Sequence, residues 1–365
     1  MHVLIAPDSF GPELTAVEAG AVIAEGWTLG APHDEVEVVP MSSGGVGFVD
    51  ALHGAIGGEL LLVSVTGSAG EMVPATILRV GSSAYVEAAQ VCGLDLASAA
   101  PGSAQIWRAT SYGVGQLIAA SIDAGSSGVV VALGSVGTND GGAGLLAALG
   151  AMPTGVLAGG PTALVGLTTV DLSPAVERTR HLDLIAATDV DNPLLGLRGT
   201  TNLFAVGRGA AAADLPAIDA ALAAFAALVD ADLANTPGAG AGGGTGYALA
   251  ALGAARRPVL DLVIELVDLP ARARQADLVV TATRRFDGSS LRGAVVAGVA
   301  RTAGPTGRPC VVLADVVEVG RREMNAYGVE SAYAVRDHAA GGRPGGRDDL
   351  RALASRVARS WSPAR

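Results

Sequence analysis

Gly134-Ser135-Val136-Gly137-Thr138-Asn139-Asp140-Gly141-Gly142-Ala143-Gly144 follows the apolar run Gly128-Val129-Val130-Val131-Ala132-Leu133 and leads into a Leu- and Ala-rich segment from about Ala143 to Leu149. The apolar run reads as a buried strand and the segment after the turn as a helix. Strand, glycine-rich turn and helix in succession are how an α/β sheet presents backbone N–H groups to an anion at a helix N-terminus. Glycine lets the backbone come close to a ligand and take positive φ. Thr138, Asn139 and Asp140 add hydroxyl, amide and carboxylate groups at the carboxyl end of the strand, where open sheets place their ligands. The same residues also read as a capped turn, with Asn139 or Asp140 as N-cap. The segment lacks the Lys of a Walker A loop and is not a clean G-x-G-x-x-G.

A chain of 365 residues is long enough for a large core, and the length favours two domains. Half of the residues are hydrophobic and 16% are charged, which is a globular composition. The net charge of −11 argues against a nucleic-acid partner, which would want a basic face. All 24 basic side chains are arginine; the sequence holds no lysine. Apolar content is broken by glycine, and no run of 18 uncharged apolar residues with membrane flanks is predicted to span a bilayer. The start, Met1-His2-Val3-Leu4-Ile5-Ala6-Pro7-Asp8, lacks a basic n-region and reads as a first strand, not a signal peptide. Cys92 and Cys310 stand far apart and make no disulfide framework or metal cluster; each reads as a buried small hydrophobe, in a cytoplasmic setting. His2, His33, His53, His181 and His338 show no ligand spacing.

In chain order, residues 2–6 form a strand and Pro7–Pro12 a turn. Thr15 with Glu18 makes a capping box for a helix running to about Leu29. A second strand over Val36–Val39 leads through Pro40-Met41-Ser42-Ser43-Gly44-Gly45-Val46-Gly47 to a helix near Phe48–Ile56. This β-loop-α-β-loop-α pattern is that of a parallel sheet. Leu60–Thr66, Ala75–Val80 and Ala84–Ala88 read as an antiparallel meander. Alternation returns with a helix at about Val114–Ala124 before the central strand. Leu182–Ala187 is a strand that ends in Thr188-Asp189-Val190-Asp191-Asn192-Pro193, and Ala217–Leu233 is a helix. Gly238–Gly246 reads as a flexible Gly/Ala turn or linker. Asp277–Thr281 is a strand, Arg284–Gly288 a loop, Gly293–Ala303 a helix and Pro309–Ala314 a further strand. Arg321–Tyr327 is helical, Ser331–Val335 a last strand, and the helix after His338 a peripheral element. Four strand-to-helix loops with polar or glycine content, at 7–11, 42–47, 134–144 and 281–288, would meet at one edge of a single parallel sheet.

Taken together, these segments resemble the glycerate kinase family from Met1 to about Tyr333. Ala6-Pro7-Asp8-Ser9-Phe10 resembles the family's opening motif, and Gly137-Thr138-Asn139-Asp140-Gly141-Gly142-Ala143-Gly144 its most specific one. Thr188-Asp189-Val190-Asp191-Asn192-Pro193-Leu194-Leu195-Gly196 and Pro237–Gly243 match two later blocks. The resemblance implies an α/β fold of two domains: a discontinuous flavodoxin-like domain, 1–60 with 260–340, and an inserted mixed-sheet domain, 61–259, followed by a helical extension, 341–365. It implies transfer of the ATP γ-phosphoryl group to a hydroxyl of glycerate or a related small hydroxy acid, with Mg²⁺. A homodimer stays open as the assembly.

Phosphoryl transfer needs cationic or metal stabilisation of the phosphates and a group that holds the attacking hydroxyl. The catalytic candidates are Asp8, Asp140, Asp189 and Arg285, with Asp140 and Asp189 also candidate Mg²⁺ ligands. Binding candidates are Ser9, Ser43, Gly44, Gly45, Thr138, Asn139, Gly141, Gly142, Asn192 and Asp287. Arg285 offers a bidentate pair for a substrate carboxylate or a phosphate.

The departures from the family pattern fall in the same loops. Gly11 stands where the pattern has Lys, and Ser42-Ser43-Gly44-Gly45-Val46-Gly47 has lost two carboxylates. Thr281-Ala282-Thr283-Arg284-Arg285-Phe286-Asp287-Gly288 has lost a Glu, and Arg292 and Ala294 replace a His and a Lys. Arg208 keeps the charge of a replaced Lys, Arg284 and Arg292 are added cations, and Trp107 sits where the family has an Asn-Pro block. Arginine cannot transfer a proton as lysine does, and its fork demands other geometry. Two readings follow: a kinase acting on glycerate or a related small hydroxy acid, and a degenerate member that binds a small ligand or a protein partner without turnover.

Overall fold

The computed structural model describes residues 1–94, 105–336 and 344–362. His338 and the glycine-rich stretch around it lie outside the described residues. The strands are β1 (His2–Ile5), β2 (Glu35–Val38), β3 (Glu59–Thr66), β4 (Met72–Val80), β5 (Ser83–Glu87), β6 (Gly128–Ala132), β7 (Asp183–Ala187), β8 (Ala255–Arg257), β9 (Leu278–Phe286), β10 (Cys310–Val317) and β11 (Ser331–Ala334). They form a five-stranded sheet, β11-β10-β9-β1-β2, and a six-stranded sheet, β3-β4-β5-β6-β7-β8. The fold is α/β, as expected, with one parallel and one mixed sheet. The chain divides into two compact units, unit 1 (Met1–Ser43, Asp50–Gly57, Leu260–Arg365) and unit 2 (Gly44–Val49, Gly58–Val259).

Unit 1 holds the all-parallel sheet, whose order is that of a doubly wound flavodoxin-like domain. Its central strands β1, β9 and β10 carry buried apolar runs, as expected of a parallel sheet covered on both faces, while the outer strands β2 and β11 are only partly buried. The capping box forms: Glu18 N donates to Thr15 Oγ1 at 3.2 Å and Thr15 N to Glu18 Oε2 at 2.9 Å. The helix that it starts, Ala16–Gly30, buries Ala19, Val22, Ile23 and Trp27. The helix Arg347–Trp361, expected to be peripheral, belongs to the same core. Leu350, Leu353, Ala354 and Val357 are buried with Ile23, Trp27 and Val311. Its apolar residues recur at three- and four-residue spacing, a stripe that demands a covering partner.

Unit 2 holds the mixed sheet. β3, β4 and β5 form the expected antiparallel meander, and β5 to β8 run parallel. Residues 153–179, where the sequence is broken by glycine, contain three short helices: Thr154–Leu157, Pro161–Leu164 and Ser173–Thr179. The window Ala212–Val229, of mean hydropathy 1.7, has the length of a membrane span. Its helix, Leu215–Val229, buries Ala221, Leu222, Phe225 and Ala226 in the core of this unit, and Ile218 in a smaller cluster with Ile106, Ala205 and Ala210.

Two further expectations change. The four loops do not lie on one sheet: those after β1, β2 and β9 follow strands of the five-stranded sheet, and the loop after β6 follows a strand of the six-stranded one. Arg284 and Arg285 are not in a loop either. β9 continues to Phe286 because β10 keeps pairing with it, Val316 against Arg285 and Val317 against Phe286.

Candidate functional site

In unit 2 the loops after β5, β6 and β7 emerge from the carboxyl ends of parallel neighbours. The loop after β6 is built around Asp140, which is fully buried. Its Oδ2 accepts hydrogen bonds from Ser111 N at 2.7 Å, Ser111 Oγ at 2.8 Å and Gly144 N at 3.2 Å, and its Oδ1 from Gly142 N at 2.9 Å. Burial pushes the Asp140 carboxyl up in pKa, and these donors pull it back down. Ser111 Oγ in turn accepts from Leu145 N at 3.0 Å.

The expectation that this turn offers its N–H groups to an outside anion is therefore corrected. Gly137 N donates to Cys92 O at 2.7 Å, Gly141 N to Gly243 O at 3.0 Å, and Gly134 N to Gly44 O at 3.0 Å. Gly142 and Gly144 are taken by Asp140. The carboxylate of Asp140 is itself the anion near the start of the helix Ala143–Ala148, but the N-cap is left-handed Gly142 and not, as expected, Asn139 or Asp140. With both oxygens engaged and no exposed surface, Asp140 presents no face to a metal ion.

Gly238–Gly246, read as a flexible linker, is instead packed against this loop. Ala239 to Gly246 are buried. At Gly243, with φ of +71°, an added Cβ would lie 1.8 Å from the carbonyl oxygen of Thr138, so only glycine fits. Gly240 N donates to Asn192 O at 3.0 Å, which ties the glycine block to the loop after β7.

The side chains left beside these loops are polar and surround one cation. Arg208 donates weakly to Asn139 Oδ1 at 3.4 Å and Thr200 Oγ1 at 3.3 Å, and its guanidinium lies 5.3 Å from the centre of the Phe204 ring. Asn139 Nδ2 donates to Thr201 Oγ1 at 3.0 Å. Burial pulls the Arg208 pKa down to about 10, with the nearby Cys92 opposing it. Among the described residues no carboxylate pairs with Arg208. Thr138 Oγ1 lies beside the Cys92 thiol and has no partner of hydrogen-bond geometry, although it is buried. The Asn192 Oδ1 is likewise buried and unpartnered. Burial, then the Asp140 charge, pushes the Cys92 thiol up to about 12, so it stays protonated.

Of the expected residues, Thr138, Asn139, Asp140, Gly141 and Gly142 share this neighbourhood. Gly44 and Gly45 border it: Gly44 O accepts from Gly134 N, and a Cβ at Gly45 would lie 2.8 Å from Ser135 Oγ. Glu87, at the end of β5 and 3% exposed, holds their segment by accepting from Gly47 N at 3.1 Å and Val49 N at 3.2 Å. Asp189 is exposed at the carboxyl end of β7. Ser111, Glu87 and Thr200 were not among the sequence candidates. Ser111 alone carries a signal, as a serine immediately before a helix.

The remaining candidates belong to unit 1. Asp8 follows β1; its N–H donates to Ala282 O at 2.9 Å, and its Oδ1 accepts from Ser9 N at 2.8 Å. Burial pushes its pKa up to about 6 against the pull of the Ser9 hydrogen bonds. Arg285, expected to take a substrate carboxylate, is exposed and pairs with Glu318 at 3.0 Å. Asp287 organises its own turn, accepting from Ser289 Oγ at 2.5 Å and Ser289 N at 2.8 Å, which together hold its pKa down. Ser43 is exposed.

Residues 3–362 match the family described as Glycerate kinase family, and the chain belongs to that family. It is 34% identical to the glycerate kinase of Bacillus subtilis, over 92% of this chain and 90% of that protein. It is 32% identical to the glycerate 2-kinase of Escherichia coli, over 92% and 90%. Identity reaches 38% with the uncharacterized protein Mb2228c of Mycobacterium bovis, over 98% and 91%. A crystal structure from Salmonella typhimurium LT2, described as "putative glycerate kinase 2", superposes with a TM-score of 0.82 at 31% identity, over 99% of this chain and 97% of that one.

Proposed function

We propose that the protein is an ATP-dependent kinase that phosphorylates a hydroxyl of glycerate or a related small hydroxy acid. Family membership supports the reaction class. Within the structure, the observation that carries the reading is Arg208: a half-buried guanidinium without a carboxylate partner, among neutral polar groups. Such a cation is poised for an anionic ligand, whose oxygens would replace two long hydrogen bonds with short charge-assisted ones. The unpartnered Thr138 Oγ1 and Asn192 Oδ1 supply further polar contacts.

Among the described residues no group of three or more His, Cys, Asp or Glu side chains is placed to hold a metal ion. Mg²⁺ bound with a nucleotide needs only one or two carboxylates, because phosphates and water complete its shell. Asp189 fits that requirement by its exposure at a strand end, and Asp140 does not. Bound Mg²⁺ would offset the charge that builds on the phosphates. In this reading Arg208 holds an anionic oxygen and Asp189 the metal. Within unit 1, taken by itself, Asp8 is the carboxylate candidate for accepting a hydroxyl proton. Free, buried Cys92 and Cys310 suit a reducing cytoplasmic setting.

The second reading, a member that binds without turnover, is favoured by the enclosure of Asp140 and the pairing of Arg285 with Glu318, which remove two expected catalytic groups. ATP consumption by the pure protein with Mg²⁺, with and without D-glycerate, decides between them. Glycerate-dependent turnover that is lost in Asp189→Ala supports the kinase. No turnover, with D-glycerate still raising the melting temperature, supports binding alone.

A further inference from the structure

We propose that Arg284 fixes an anionic oxygen of the ligand at the carboxyl edge of the five-stranded sheet, and that Gly11 gives it the room to do so. This inference deepens the kinase reading above and rests on it.

Arg284 lies near the end of β9, and Gly11 in the loop after β1, the strand that pairs with β9. The arginine side chain lies directly against the glycine. A Cβ at position 11 would sit 2.6 Å from Arg284 Nη1 and 2.8 Å from its Cδ. Gly11 also has φ of +85°, so the loop backbone itself favours glycine. Any side chain here would displace the guanidinium.

Arg284 has no hydrogen-bond acceptor among the described residues. The acid that feels its charge is Asp315, which is 1% exposed. Asp315 is already occupied: Arg336 Nε donates to Oδ1 at 2.7 Å, Arg336 Nη2 to Oδ2 at 2.5 Å, and Gly345 N to Oδ1 at 3.0 Å. The adjacent Arg285 is matched by Glu318. Of these three arginines, Arg284 alone keeps a whole guanidinium fork free. It does so beside the loop that carries Asp8 and Ser9, which is tied to β9 by the hydrogen bond from Asp8 N to Ala282 O.

A planar fork with unclaimed N–H donors matches the paired oxygens of a carboxylate or a phosphate. The ligand chemistry is therefore an oxyanion, supplied either by the carboxylate of the hydroxy acid or by a phosphate of the nucleotide.

The test is calorimetric titration of the full chain with D-glycerate and, separately, with ATP and Mg²⁺, for wild type, Arg284→Gln, Arg284→Lys and Gly11→Ala. The expected result is that Arg284→Gln weakens one of the two ligands roughly tenfold or more and leaves the other unchanged, and the ligand affected names the source of the oxyanion. Arg284→Lys recovers part of the loss, and Gly11→Ala weakens the same ligand because it displaces the guanidinium. Circular dichroism confirms folding, and Arg284→Gln, at a half-exposed site, keeps the fold. Arg284→Gln binding both ligands as tightly as wild type would overturn the inference and leave the kinase reading standing. Wild-type protein that binds neither ligand overturns both.

Discussion

Asp140 and Ser111 are joined twice, through the backbone N–H and the hydroxyl of Ser111, both on the same carboxylate oxygen at 2.7 and 2.8 Å. The pair locks the loop after β6 to the helix Tyr112–Asp123. Asp140→Asn turns one acceptor into a donor that faces N–H groups, so roughly 3 kcal/mol of stability should be lost, with Ser111→Ala costing about half of that. Urea unfolding followed by circular dichroism measures both. Unchanged stability with abolished turnover would instead make Asp140 a reacting group.

Asp8 should set the acid limb of activity. Burial raises its pKa from 3.8 to about 6, so it becomes the carboxylate needed for proton acceptance only as pH passes that value. The rate should fall below about pH 6, and Asp8→Asn should leave a low rate without this limb. For stability the sign is opposite. Because the folded pKa lies above the unfolded one, the favourable contribution is full below 3.8 and is lost as pH rises through about 6. Asp8→Asn should therefore melt higher than wild type at pH 8.

Arg208 should separate affinity from stability. Arg208→Met removes a half-buried charge without a carboxylate partner, so the melting temperature should hold or rise. Binding of the anionic ligand should weaken by about 10- to 100-fold, read as KM against kcat. An unchanged KM would remove Arg208 from the site.

Gly243→Ala should be among the most damaging single changes in unit 2. The new methyl would meet the Thr138 carbonyl oxygen at 1.8 Å on a backbone with φ of +71°. A loss of about 3 kcal/mol or more is expected in denaturant unfolding, together with loss of ligand-induced stabilisation.

Leu353→Ala tests the carboxyl-terminal helix as core. Leu353 is 1% exposed. Truncation should cost about 2–5 kcal/mol, a loss that no peripheral helix would show.

Local chemistry made much of this structure readable in advance. The Thr15–Glu18 box, the valine runs of β6 and β10 and the three-strand meander each follow from short-range pattern, and each formed. What escaped was long-range. Nothing near Gly238–Gly246 announces that its glycines are buried against Thr138, since composition alone cannot separate a hinge from a close-packed crossing. The β6 loop read both as an anion cradle and as a capped turn, and only the partners of Asp140, Ser111 among them, show that its own carboxylate takes the N–H groups of Gly142 and Gly144. Arg285 stood out in sequence as the candidate and Arg284 as an added cation; the structure reverses their standing, because Arg285 pairs with Glu318 while Arg284 has no hydrogen-bond acceptor among the described residues.

The pairing of β1 with β9 has a consequence for how the chain is made. Val3 faces Leu278, so β1 has no neighbour on that side until the chain has grown past residue 278. All of Gly58–Val259 is synthesised in the interval. Order of synthesis therefore lets the inserted unit close first. The amino-terminal β-α-β segment waits meanwhile with one edge of β1 unpaired.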